Sequence, residues 1–142
     1  MDIPFGRLQF AFAAKPLLIG GKAMEYYGLR KAGADIDLVV SGTDHAKLCE
    51  MYPDNIKDLY GDIGVCEFGF EIWNQICRFG YDFLRADAAE EGDYLVTSLH
   101  KLLFLKTLAI KHKKYHDDVV MIVERILAEQ YAPSPEAKTS KA

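Results

Sequence analysis

Residues 17–40 read LLIGGKAMEYYGLRKAGADIDLVV, and this stretch sets the architecture. Pro16 followed by Leu17–Ile19 predicts a buried strand, which the pair Gly20–Gly21 breaks. KAMEYYGLR then carries helix formers, with Ala23, Tyr26 and Tyr27 at helical spacing for an inward face. KAGA makes the turn into a second strand, DIDLVV. Side chains two apart on a strand share a face, so Asp35 and Asp37 project together while Ile36 points the other way. Aspartate is depleted in strands, so the pair asks for a reason. Either both carboxylates are solvated at the strand start, or a cation between them balances their repulsion. A hard cation with oxygen ligands, such as Mg2+, suits them best.

Working outward, residues 5–14 predict a short helix before Pro16. SGTDHAKLCEMY (41–52) predicts a helix capped by Thr43 or Asp44 and ended by Pro53, and residues 56–60 a short helical turn. The aromatic and β-branched run from Gly64 to Ala86 predicts two or three short antiparallel strands. From Thr97 the period becomes helical. Leu99, Leu102, Leu103, Leu105 and Leu108 mark one helix, with Thr97 or Ser98 as its N-cap. Val119, Val123, Ile126 and Leu127 mark a second, so a C-terminal helical hairpin turns near residues 115–117. The chain reads as a single domain over 1–131, with a disordered tail over 132–142.

Composition bounds the partners. A net charge of −4 argues against a sequence-independent grip on long nucleic acid, though not against a local contact. No apolar run approaches a membrane span, and the acidic, lysine-interrupted N-terminus is a poor secretory signal, so a cytoplasmic protein is expected. Cys49, Cys66 and Cys77 are odd in number and lack a CxxC pairing, which points to reduced, buried thiols. His112 and His116 would need a third ligand to hold zinc, and the basic run KHKK (111–114) is a solvated helix end or a contact for an acidic acceptor.

A strand, Gly-Gly, a helix and an Asp-Ile-Asp-Leu strand together resemble the signature of the DNA polymerase β-type nucleotidyltransferase superfamily. Ile19-Gly20-Gly21, the spacer Lys22 to Ala34, and Asp35-Ile36-Asp37-Leu38 match it position by position. The resemblance implies an α+β fold: a mixed, mostly antiparallel sheet with helices on one face and the C-terminal hairpin. It implies a nucleoside triphosphate bound at Gly20, Gly21 and Lys22, and two Mg2+ ions held by Asp35 and Asp37. A third carboxylate on a later strand would complete the set. Asp82 in RFGYDFLRA is the first choice, with Glu71 in FGFEIWN as the alternative.

The helix around Lys106 and the paired Asp117–Asp118 resemble the small, toxin-like branches of that superfamily. Lys106 would then contact the triphosphate; otherwise it snorkels at the core edge. Asp117 and Asp118 read as cap and first-turn residues. The implied reaction moves a nucleoside monophosphate to an acceptor hydroxyl and releases pyrophosphate. The acceptor (small molecule, protein or RNA end) is left open, and a homodimer or partner subunit is one way to complete the cleft. The other reading is a catalytically degenerate module that only binds. A toxin–antitoxin role is compatible with the first.

Overall fold

The computed structural model describes residues 1–132; the expected tail beyond Ala132 lies outside them. The described chain is mixed α+β. β1 (Leu17–Ile19) runs into α1 (Gly20–Tyr26), followed by β2 (Ile36–Val39) and α2 (Gly42–Met51). A meander of β3 (Ile56–Leu59), β4 (Asp62–Glu67) and β5 (Phe70–Trp73) comes next. The small hairpin β6 (Gln75–Ile76) and β7 (Phe79–Gly80) leads into α3 (Tyr81–Leu84). A second hairpin, β8 (Ala89–Glu91) and β9 (Tyr94–Val96), precedes α4 (Leu99–Leu108) and α5 (His116–Gln130).

Seven strands make one sheet in the order β3-β4-β5-β2-β1-β9-β8. Most neighbours are antiparallel; β2 with β5 and β1 with β9 are parallel. Alternation along β1 and β2 sorts the core into two layers. Leu18, Ile36 and Leu38 pack with Met24, Leu48, Leu102 and Ile122 from α1, α2, α4 and α5. Leu17, Ile19 and Val39 point to the opposite layer, where Tyr81 and Leu84 of α3 cover them. The expectation of helices on one face is corrected accordingly, because α3 caps one end of the second face.

Other local differences have simple causes. Residues 56–59 form the exposed edge strand β3, since IKDL carries no helical period and pairs with β4. Only Phe5–Leu8 is helical in the opening segment, as a 3₁₀ turn. Ser41, not Thr43 or Asp44, caps α2, its hydroxyl accepting from the Asp44 N–H at 3.2 Å. Ser98 does the same for α4. Cys77 is exposed, and Cys49 and Cys66 are half-buried; all three are free thiols. Among the described residues no helix is long and apolar enough to cross a membrane.

Asp44 is fully buried because it holds down the N-terminal segment. Its carboxylate accepts the Ala13 N–H at 3.0 Å and the Ala14 N–H at 3.1 Å. Removing a buried, charge-assisted acceptor strands these donors. Asp44→Ala is expected to cost about 3 kcal/mol, read as a lower urea midpoint at unchanged slope. An unchanged midpoint would mean that water replaces the carboxylate.

Candidate active site

Asp37 lies on β2 one position beyond Ile36, and its partner across the parallel ladder is Glu71 of β5. Parallel strands lie about 4.8 Å apart, so register alone sets these two carboxylates side by side. Asp35, exposed just before β2, shares their face, and all three line one cavity of about 480 Å³ with Gly21 and Arg30. Burial, then the Glu71 charge and a hydrogen bond shared with Glu71, then the Asp35 charge push the Asp37 carboxyl up to about 7. Lys106 pulls in the opposite direction without winning. The site is short of positive charge at Asp37.

Gly20 explains the first half of the signature. Its φ is +67°, and a Cβ there would overlap the Asp37 carboxylate. Only glycine lets the helix start lie directly against that side chain. The backbone that opens α1 and the carboxylate on β2 are therefore in contact. Gly21 faces Arg30 and Ala32, whereas Lys22 is half-buried and lines neither carboxylate cavity.

The structure separates Asp82 from this group. The alternation around RFGYDFLRA reads as a strand, but the chain turns at Gly80 and residues 81–84 form α3. Tyr81 and Leu84 are buried, which throws Asp82 outward into a different cavity, beside Ser41, Gly42 and Asn74. The carboxylate that joins Asp35 and Asp37 is Glu71. Its Oε1 accepts from Lys57 Nζ at 3.0 Å. That contact and the Glu71 charge hold the Lys57 ammonium above its ordinary value.

Lys106 reaches the site from α4, but it is buried, with its Nζ 2.9 Å from Asp118 Oδ2 and 4.7 Å from the Tyr115 ring centroid. Arg30 closes the same group, donating from Nε and Nη2 to the two Asp118 oxygens at 2.6 and 2.8 Å. Asp118 does sit in the first turn of α5, as its sequence position suggests. Its use is nevertheless to gather two cations beside the carboxylates. Arg30 and Lys57 had no sequence signal, and the signal at Asp118 was for a helix start rather than an ion pair, because these roles depend on elements far apart in the chain. Lys114 and Tyr115 also border the Asp37 cavity.

The donor set of Asp35, Asp37 and Glu71 is all hard oxygen, the chemistry that Mg2+ takes. Burial first, and the neighbouring carboxylates second, raise the Asp37 carboxyl, and a cation would relieve both. Among the described residues no three His, Cys, Asp or Glu side chains are yet gathered around one point; Glu71 turns to Lys57 instead. No protein-family model, curated protein or solved structure matches this chain.

Proposed function

We propose that this chain is a Mg2+-dependent nucleotidyltransferase, a reading carried by one observation: the register that sets Asp37 beside Glu71, with Gly20 pressed against the Asp37 carboxylate. Asp35, Asp37 and Glu71 would hold the metal, Glu71 taking the place first assigned to Asp82. Bound Mg2+ would supply neutralisation of the developing phosphate charge. The phosphates of a nucleoside triphosphate lie toward Gly20 and Gly21, with Arg30, Lys106 and Lys114 as flanking cations and Lys22 outside the site. The acceptor oxygen bonds to the α-phosphorus as the bond to the β-bridging oxygen breaks. Pyrophosphate leaves, and the hydroxyl proton passes to a carboxylate of the set.

The Lys57–Glu71 ion pair favours a second reading, in which lysine has replaced metal at the third carboxylate and the fold only binds. One experiment separates them. Thermal melts are run with ATP, GTP, CTP and UTP, with and without Mg2+, on the wild type and Asp35→Asn/Asp37→Asn. A nucleotide at a hundred times its Kd adds about 2.7 kcal/mol, roughly 6–10 °C for a chain of this size. A Mg2+-dependent shift that the variant loses supports the enzyme. A shift indifferent to Mg2+ supports the binding module, and no shift with any nucleotide overturns both.

A further inference from the structure

Beyond the carboxylates the cleft opens into a second cavity of about 700 Å³. Leu59, Trp73, Ile76, Ala109 and His112 line both this space and a neighbouring one bordered by Gly20, Asp37, Glu71 and Lys106, so the two adjoin. The floor is the Trp73 indole, seated over Gly64, where any Cβ would collide with the ring. The rim carries Tyr60, Arg78, Lys111 and His112. The acid among the lining residues, Asp62, is already engaged, accepting from Gln75 Nε2 at 2.9 Å and the Cys77 N–H at 2.7 Å. Those donors are neutral, so Asp62 keeps its charge, and Arg78 and Lys111 together leave the lining with a modest positive excess.

Two hairpin tips build the rim. The β3–β4 turn is Tyr60–Gly61 and the β6–β7 turn is Cys77–Arg78, each with two residues at positive φ. Such mirror turns favour Asn-Gly. A bulky residue in the left-handed region is strained by its Cβ. Tyr60 at φ 55° and Arg78 at φ 67° both bear that strain, and Tyr60 is 98% exposed, so it gains nothing from packing. Strain held at a cleft mouth points to function. Here it presents one aromatic ring and one guanidinium to the same space.

We propose that this cavity receives the end of a single-stranded nucleic acid, whose terminal hydroxyl is the acceptor for nucleotidyl transfer; the assignment rests on the function proposed above. Aromatic surfaces stack bases of any sequence, and a few cations follow the backbone. A neutral small acceptor would have no use for Arg78 and Lys111. The grip is local, two or three phosphates, which fits an acidic chain.

Trp73 is the single tryptophan and lines both spaces, so its fluorescence reports on either and the rim variants assign the signal to this cavity. The probes are a ten-nucleotide single-stranded RNA of mixed sequence and its DNA counterpart. Either is expected to quench Trp73, with a log-log salt slope of about −1.5 to −2. Tyr60→Asn/Arg78→Asn keeps residues that tolerate the left-handed region, and its ligand-free melt checks folding. It should weaken binding about tenfold, as should Lys111→Glu. The wild-type Mg2+–nucleotide melt is measured alongside. A nucleotide shift without quenching by either oligonucleotide overturns the acceptor assignment and leaves nucleotidyl transfer standing. Quenching by a nucleoside triphosphate alone, or by an acidic peptide instead, overturns it too, as does oligonucleotide binding that the variants do not weaken. Quenching that the variants weaken, with no nucleotide shift, supports the nucleic-acid site and removes the transferase.

Discussion

Asp37→Asn raises the melting temperature of the metal-free protein at pH 8, the reverse of what removing a site residue does in a typical core. The Asp37 carboxyl ionises at about 7 in the fold against an ordinary 3.8. Between those values the folded chain holds a proton that the unfolded chain has lost. Stability therefore falls as pH rises through this window, and the deficit is complete above about 7. A shift of this size corresponds to on the order of 2–4 kcal/mol. Asparagine carries no charge, keeps the shape and can donate to Glu71. The expected gain at pH 8 is roughly 5–10 °C, shrinking toward zero at pH 4. Mg2+ should stabilise the wild type at pH 8 and leave the variant unmoved. Equal melting temperatures for both proteins at pH 4 and pH 8 would show that neither burial nor the neighbouring carboxylates disfavour the ionised Asp37.

Asp118→Asn acts in the opposite direction and more broadly. Asp118 is 3% exposed and Lys106 7%, so the Lys106 ammonium loses its anion without gaining water. Breaking a buried pair from one side costs about 3–5 kcal/mol, here a fall of roughly 10 °C or more. Arg30, a third exposed, recovers part of its loss through solvent. Burial pushes the Asp118 carboxyl up, yet hydrogen bonds from Arg30 and Lys106 and their charges hold it below the ordinary range. Its contribution is thus present above about pH 4 and is lost as pH falls further. Joined with the Asp37 effect, metal-free stability should peak on the acidic side of neutral. A companion variant, Lys106→Met/Asp118→Leu, removes both charges at once and should recover most of the loss. If the double variant is as unstable as the single one, shape rather than charge holds α4 and α5 at this point.

The strand, glycine pair, helix and second strand were legible because each is declared by neighbours in sequence: alternation, a glycine break, a 3.6 period. The helical hairpin was legible for the same reason, although α4 stops at Leu108 rather than running through the basic stretch. Glu71 and Asp82 mark the limit. Both sit among aromatic residues, and local pattern cannot tell them apart. What separates them is the parallel pairing of β2 with β5 and the helical turn after Gly80, one long-range and one set by packing of Tyr81 and Leu84. The Arg30–Asp118–Lys106 group is similarly invisible, because it joins a loop and two helices through charge rather than through any period. β3 was misread because four exposed residues carry no face to read.

The position of β1 carries a consequence for synthesis. It lies between β2 and β9, with Leu17 opposite Val39 on one side and Leu95 on the other. A chain emerging from the ribosome can pair β1 with β2 as soon as residue 40 is free. The other edge of β1 waits for residue 96, through the whole meander and both small hairpins. During that interval the strand leading into Gly20 is half-covered, with apolar side chains and open backbone groups that invite pairing with another chain. The segment that shapes the candidate site is made early and secured late, so truncations before β9 leave its most reactive edge bare.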